Sequence, residues 1–432
     1  MESFALVIFG ITGNLAQKKL LPAIDDLRKR NLLPDTFTII GVGRKDIKGD
    51  FDYIKGDLTD PNVYEEIKQK TAGMNKMFYL ATYPDLYQTV FEHLKNANLH
   101  HQKTNTVRLI IEKPFGNDFS SAKKLNELLL QFFTEDQIFR IDHYLGKETL
   151  QNILTFRFAN SIFEKLMNKE HIDHIQITST EKIGIEGRGG YYDSVGALKD
   201  VGQNHLLQML ALATMDAPKR FTNEDITQRR LDILKNLIPL PHSLVLGQYD
   251  GYLDEENVAK NSDTNTFFAF KTMINSNRFK DVPIYIRSGK KLKQYISEIA
   301  IVFKDTHLLR DDLKGEEPNI LIYRVQPNEG IIFKMLVKSP GHTRTVEPTF
   351  MEFTYSQLHK IIPSAYERLL YDALSGDQTF FNDAPEIEAQ WKFIDQLTKT
   401  KTTVHRYKSG TWGPKEADEL IEKDGRKWIE PQ

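Results

Sequence analysis

Residues 5–23 read ALVIFGITGNLAQKKLLPA. An aliphatic and aromatic run ends at Gly10, Gly13 follows, and a helix-forming stretch begins at once. Glycines between a strand and a helix let backbone N–H groups approach a pyrophosphate, and the helix N-terminus favours its charge. The spacing is GxxGxL rather than GxGxxG, so a tight structural turn stays open as the alternative. Further short apolar runs follow at 37–43 (FTIIGVG), 76–82 (KMFYLAT), 106–112 (TVRLIIE) and 137–142 (QIFRID), with helical patterns at 15–31, 61–71, 83–97 and 120–133 between them. Strand and helix in alternation imply a parallel, doubly wound sheet, and strands this apolar suit burial on both faces.

After about residue 150 the pattern changes. One strongly apolar helix is expected at 201–215 (VGQNHLLQMLALATM), and strands at 264–274, 282–289, 296–304, 319–326, 331–338 and 348–355 follow with little helix between them. Such short connections require antiparallel pairing. Two helices are expected at 363–375 and 385–398. The expected fold is an α/β N-terminal Rossmann-like dinucleotide-binding domain, residues 1–142, plus a larger α+β C-terminal domain, residues 143–432, with a mostly antiparallel sheet. The polar stretch Lys45 to Asp60 is expected to be a loop.

Bulk composition narrows the chemistry. The 432 residues include no cysteine, which excludes disulfides, thiolate nucleophiles and cysteine-held metals. Net charge is −2, which argues against a nucleic-acid binder held by bulk charge and leaves room for a local basic pocket. No apolar run approaches the roughly 18–20 residues of a membrane helix. The N-terminus has no basic leader, so a cytoplasmic protein is expected. His100–His101 and His171/His174 lack a companion carboxylate cluster, so no metal is expected.

Several residues carry the chemistry. Arg44-Lys45 end the second strand, where a basic residue suits the 2′-phosphate of NADP and an acidic one would suit NAD; a solvated charge pair is the alternative. Residues 139–152 read FRIDHYLGKETLQN. Asp142 closes the fifth strand. If 143–152 are helical, His143 and Lys147 share a face at i,i+4 and offer a phosphate two cationic donors. Lys113, in IIEKPFG, stands at the carboxyl end of a parallel strand, where open α/β sheets bind ligands. His205 lies in the apolar QNHLLQ, where burial keeps imidazole neutral, as a general base needs, or simply makes it a core histidine. Asp200, Glu181 in TEKIGIEGRGG, and Arg287, Lys290 and Lys291 in YIRSGKKL add charge at strand and loop ends.

These segments together resemble the glucose-6-phosphate dehydrogenase family. FGITGNLAQKKLLPA, FYLATYP, IIEKPFG, FRIDHYLGKE, LTFRFAN, QNHLLQ, YIRSGKKL, YRVQPNEG, AYERLLYDAL-SGDQTFF and SGTWGPKEAD occur in family order over nearly the whole chain. The resemblance implies oxidation of glucose 6-phosphate at C1 with NADP as acceptor, NAD being the weaker alternative. It implies His205 as general base and Asp142 as its carboxylate partner. It implies His143, Tyr144 and Lys147 on the 6-phosphate, Lys113 touching sugar and cofactor, and Glu181, Asp200 and Lys290 on the sugar. It places NADP on Gly10, Ile11, Thr12, Gly13, Asn14, Leu15, Gln17, Arg44 and Tyr79. It further suggests a homodimer or homotetramer.

Departures from the family pattern are informative. Asn14 replaces an aspartate, Gly202 a bulkier apolar residue, and Tyr295 a second basic residue, so that either Lys293 substitutes or affinity is lower. The segment from Arg44 to Tyr53 is short by about 30 residues, a length set against ordinary connections, so a first-domain helix is expected to be missing. Trp412 stands where members with a second, structural NADP have arginine, and no second site is expected. Two other readings remain: an oxidoreductase of the glucose–fructose oxidoreductase class on unphosphorylated sugars, which would not require His143 and Lys147, and a catalytically weak NADP-binding sensor, which the Asp142/His205 pair opposes.

Overall fold

Every residue of the first strand, β1 (Phe4–Phe9), is buried, as a strand covered on both faces requires. The computed structural model describes residues 3–101, 105–305, 318–342 and 345–431. β1 joins β2 (Phe37–Gly43), β3 (Asp52–Lys55), β4 (Asn75–Leu80), β5 (Val107–Glu112) and β6 (Ile138–Ile141) in an all-parallel sheet of order β3-β2-β1-β4-β5-β6. That order reverses between β1 and β4. The crevice at their carboxyl ends is where a doubly wound sheet binds its ligand.

Helices α1 (Leu21–Lys29), α2 (Pro61–Lys70), α3 (Tyr87–Asn96) and α4 (Phe119–Leu130) connect these strands. Then come α5 (Glu148–Ala159), α6 (Ser161–Leu166), α7 (Gly189–Ala197), α8 (Leu207–Thr214) and α9 (Asn223–Lys235), and finally α10 (Ala365–Ser375), α11 (Ala384–Leu397) and α12 (Lys415–Glu422). The chain divides into two compact units. The first comprises Met1–Lys147, Arg220–Thr227 and Pro363–Glu388. It therefore includes α10, a late helix that sequence order would assign to the second domain. α10 packs on α1, and Arg30 just beyond α1 meets Glu367 of α10 at 3.2 Å.

The stretch Lys45 to Asp60 is not all loop. Asp52–Lys55 pairs with β2 as an edge strand. It is short and only Ile54 of it is buried, so it carries little pattern. Residues 44–51 carry no helix, a shorter link than the dozen or so residues usual between parallel neighbours. Among the contacts that hold it, Tyr53 donates to the carbonyls of Gly43 (2.7 Å) and Lys45, Lys55 to Asp46 (2.7 Å) and Arg28 to Asp50 (2.6 Å).

The second unit is built on β7 (Ile172–Thr180), β8 (Leu237–Ile238), β9 (Val245–Tyr249), β10 (Phe267–Ile274), β11 (Ile284–Gly289), β12 (Ile296–Phe303), β13 (Ile320–Gln326), β14 (Gly330–Lys338), β15 (Val346–Thr354) and β16 (Val404–Tyr407). Their order is β15-β14-β13-β12-β7-β11-β10-β9-β16, with β8 on β10. Pairing is mostly antiparallel, as expected; β7–β11 and β9–β16 are parallel. α5 packs on β13 and α8 on β12. At the β15 edge Phe350 and Met351 stay exposed, as do Leu358 and Ile361 just beyond. Among the described residues no helix is long and apolar enough to cross a membrane.

Arg157 of α5 anchors the far end of α8. The fully buried guanidinium donates to the Leu212 carbonyl (3.0 Å), the Met215 carbonyl (2.7 Å) and Glu164 (3.0 Å). Arg157→Met leaves those carbonyls without donors, and we expect a loss of about 3 kcal/mol in urea unfolding, the scale for breaking a buried ionic network. An unchanged urea midpoint would show that water takes over the three acceptors.

Candidate active site

In the first unit, Gly10 ends β1 with φ +86°. A Cβ there would lie 2.6 Å from the Ala81 carbonyl oxygen, so only glycine fits. The Gly10 and Ile11 N–H groups donate to the Val42 carbonyl (2.9 and 3.2 Å) and Gly13 N–H to the Gly10 carbonyl (2.9 Å). Ile11 is buried, Thr12, Gly13 and Leu15 are half-buried, and Asn14 is exposed. The helix begins as a π turn over Ala16–Leu20, with Leu21 N–H reaching the Ala16 carbonyl. Pro22 has no N–H to give to Lys18, and the register widens ahead of it. The Gln17 amide donates to the Ile11 carbonyl (2.7 Å) and braces the turn from within.

Arg44, just past β2, is 81% exposed with its guanidinium 3.7 Å from Asp57. Thr59 donates to Asp57 through N–H (3.0 Å) and hydroxyl (2.8 Å), which holds that carboxyl below its usual range. Tyr79 is fully buried, and its hydroxyl donates to Glu112 at the end of β5. The Glu112 carboxyl also accepts from Tyr366, and burial pushes it up to about 7 against the lowering effect of both hydroxyls and Lys113.

Asp142, buried just past β6, accepts Tyr144 N–H on its carboxylate (2.9 Å) and Leu145 N–H on its carbonyl (3.0 Å). Lys147 N–H returns to the Tyr144 carbonyl (2.9 Å). Residues 143–147 are thus consecutive tight turns, and α5 begins only at Glu148. This corrects the helical i,i+4 arrangement expected for His143 and Lys147. The Asp142 carboxylate closes a local Asx turn on Tyr144 N–H, and Gly146 lies so close to α10 that a Cβ would be 2.6 Å from the Ala365 carbonyl oxygen. The turns still gather the three side chains. The Lys147 ammonium is 5.3 Å from the Tyr144 ring centre, and the His143 ring meets Tyr144 edge-on at 5.1 Å. Arg140, the first cation of this polar run, is structural: it is fully buried and paired with Glu135.

In the second unit, Glu181 follows β7. Its N–H donates to Gly289 and its carbonyl accepts Leu292 N–H, both at 2.9 Å. Its carboxylate lies 2.8 Å from the Lys290 ammonium, which is 3% exposed and 5.4 Å from the Tyr192 ring centre. The Lys290 backbone is fixed by Thr266 (3.0 Å) and by the Tyr407 hydroxyl (2.7 Å). Asp200 and His205 ride on a π-helical segment, Leu198–Leu206. Asn265 caps it, accepting Ala197 N–H (2.8 Å) and Leu198 N–H (2.9 Å). The Tyr191 hydroxyl is bonded to Asp200 and is pushed up to about 12 by burial first and by that carboxylate second. His205 is 2% exposed. A Cβ on Gly202 would lie 2.8 Å from Phe268 Cζ, so the aromatic ring fills the volume of the missing side chain.

Lys293, the candidate replacement for a basic residue at Tyr295, lies near an aromatic ring and a carboxylate. Its ammonium is 5.7 Å from the Trp412 ring centre and 3.9 Å from Glu430. Trp412 and Trp428 enclose Arg287, whose guanidinium is 4.9 and 4.3 Å from the two ring centres. Both ring nitrogens of His174 are engaged, one with Asp173 (2.6 Å) and one with Gln176 (2.8 Å). Tyr366, Tyr191, Tyr192, Tyr407 and Asn265 were not singled out in the sequence. Tyr366, Tyr192, Tyr407 and Asn265 act through partners far along the chain, and Tyr191 through Asp200 nine residues on.

Comparison with known proteins places the chain. The family model "Glucose-6-phosphate dehydrogenase, C-terminal domain" matches residues 154–429, and "Glucose-6-phosphate dehydrogenase, NAD binding domain" matches 7–51 and 45–152. The break between those last two segments falls on the short β2–β3 link. A glucose-6-phosphate 1-dehydrogenase of Borreliella burgdorferi is 39% identical over 469 residues, covering 98% of each chain. One from Bacillus subtilis is 38% identical over 477 residues, covering 98% of this chain and 97% of its own. A solved glucose-6-phosphate dehydrogenase in complex with its substrate glucose-6-phosphate superposes with TM-score 0.91 at 33% identity, covering 99% of each chain.

Glu112 yields a pH signature. Its carboxyl titrates near 7 in the folded protein against 4.5 ordinarily. Between those values the folded state holds the extra proton, so stability relative to Glu112→Gln falls as pH rises across that window and is level above it. Urea unfolding of both proteins from pH 4.5 to 8, a range chosen to span the two values, checks this. Parallel stability curves would mean that Glu112 titrates normally.

Proposed function

The chain belongs to the glucose-6-phosphate dehydrogenase family, and from that premise we propose a role for each residue of the site. The protein is an NADP-dependent oxidoreductase that converts glucose 6-phosphate to the lactone at C1. NADP, when bound, supplies the hydride acceptor. The residues present fit it: the Gly10 turn leaves no room for a Cβ, and the exposed Arg44 suits a 2′-phosphate.

His205 takes the proton of the C1 hydroxyl as that carbon gives up its hydride, and the C1–O bond becomes the lactone carbonyl. Asp142 stabilises the imidazolium so formed. His143, Tyr144 and Lys147 hold the 6-phosphate. The observation that carries this assignment is the Asp142-headed turn, which gathers an imidazole, a phenol and an ammonium at the end of a parallel strand. Phosphate recognition needs such donors, and an unphosphorylated sugar does not. Glu181, Asp200 and Lys290 hold sugar hydroxyls; the Glu181–Lys290 ion pair offers both an acceptor and a donor. Lys113 bridges sugar and cofactor. Gly10, Ile11, Thr12, Gly13, Asn14, Leu15 and Gln17 form the pyrophosphate turn, and Tyr79 belongs to the same cofactor site.

Residues 1–142 are assigned to the cofactor and 143–432 to substrate and subunit contacts. A homodimer or homotetramer is part of the proposal, supported by the exposed apolar side chains Phe350, Met351, Leu358 and Ile361. So is a cytoplasmic location, without membrane or nucleic-acid partners.

Purified protein should form NADPH from glucose 6-phosphate and act more slowly with NAD. His205→Ala should lower kcat by roughly 10²–10⁴, the usual contribution of a general base, while still binding the sugar phosphate by calorimetry. Absence of NADPH across a panel of sugar phosphates would refute the assignment.

A further inference from the structure

We propose that Tyr366 is a positioning residue of this dehydrogenase site, a single side chain that fixes both the end of β5 beside Lys113 and the phosphate-binding turn at His143. The inference rests on the roles given above to those residues. Tyr366 enters from α10, far downstream of both. Its hydroxyl donates to the Glu112 carboxyl, next to Lys113. Its ring lies parallel to the His143 imidazole, 7° between planes and 6.4 Å between centres, an offset stack. A tyrosine has two side-chain torsions, so meeting one neighbour sets where it meets the other.

α10 is well placed to impose that distance. Its N-terminus has a reciprocal cap: Glu367 N–H donates to the Ser364 hydroxyl (3.2 Å), and Ser364 N–H to the Glu367 carboxylate (3.3 Å). The same Glu367 meets Arg30 at 3.2 Å, beyond the cofactor helix α1. Adjacent residues of one helix thus touch the cofactor helix, the β5 end and the phosphate turn. The β5 end determines where Lys113 points and the turn determines where the phosphate sits. Tyr366 sets the spacing between them.

The groups facing Glu112 are Tyr79 from β4, Tyr87 from α3, Tyr366 from α10, Lys113 beside it and Asp142 beyond β6. Both hydroxyl bonds favour the ionised carboxyl. Removing one makes ionisation harder and moves the Glu112 titration upward.

The test compares wild type, Tyr366→Phe and Tyr366→Leu in steady-state assays across about pH 5.5–9, the range in which an acid limb is readable. The Phe variant keeps the stack and loses the hydroxyl. Its acid limb of kcat/KM for NADP should move up by about half a unit or more, with KM for glucose 6-phosphate unchanged. The Leu variant should show the same shift and a rise of up to about tenfold in KM for glucose 6-phosphate, the size of an aromatic pair. If the Leu protein does not accumulate folded, Tyr366→Met keeps the bulk without the ring and takes its place. An unmoved acid limb in the Phe variant overturns the proposal. So do equal losses in both variants with no pH shift, which would mark a purely structural residue. With an active wild type, either result sinks this inference alone. A wild type that forms no NADPH sinks the dehydrogenase reading and this inference with it.

Discussion

Gly10 and the Ala81 carbonyl come so close that no side chain can stand between them. The contact falls where the strand order of the first sheet reverses, between β1 and β4. Only there do the connections from two neighbouring strands leave in opposite directions and open a crevice. The φ of +86° at Gly10 turns the chain hard enough to start the next helix over that crevice. An L-residue with that backbone would cost about 1–2 kcal/mol before the clash with Ala81 is counted. The turn is therefore specified by backbone geometry, and its other side chains, Asn14 among them, have more freedom.

Burial governs the ionisable groups. Glu112 has been removed from water and given two phenol donors, whose contribution is smaller than the desolvation they oppose. Lys290 is buried and has a carboxylate at 2.8 Å. Removing one member of such a pair is the costly change, on the order of 3–5 kcal/mol, because it strands the other charge. The two units thus solve the same problem differently. In the first a carboxyl sits near neutrality among tyrosines. In the second a lysine ammonium meets a carboxylate at 2.8 Å beside a tyrosine face.

The fold was legible in the sequence wherever period and length were clear. Buried parallel strands read as unbroken apolar runs, and close-set strands after residue 264 could pair only antiparallel. β3 was missed because an edge strand with one buried residue carries almost no pattern. The turns at 143–147 were read as helix because residue types fix neither hydrogen bond of Asp142, and the close approach of α10 to Gly146 comes from a segment more than two hundred residues away. Charged candidate residues stood out in the sequence, since charge in an apolar setting does. The tyrosines that hold them did not, since a tyrosine in an apolar helix or strand looks like core.

Both helices that carry assigned functional residues contain π-helical turns, Ala16–Leu20 and Leu198–Leu206. π turns are unfavourable in isolation and concentrate at functional sites, so something local must sustain each. In the first, Pro22 removes the N–H that an α-helical register would use, and the Gln17 amide ties the turn to Ile11 (2.7 Å). In the second, Asn265 fixes the start and Phe268 presses on Gly202, where any Cβ would meet the ring at 2.8 Å. The wider register changes the angular spacing between Asp200 and His205 from what an α-helix would give. Gly202 is thus not a gap in the helix: it is the residue that lets Phe268 of β10 pack against the segment bearing His205. Enlarging it would push on Phe268 and on the direction of His205 together, which ties the identity of residue 202 to the placement of that imidazole.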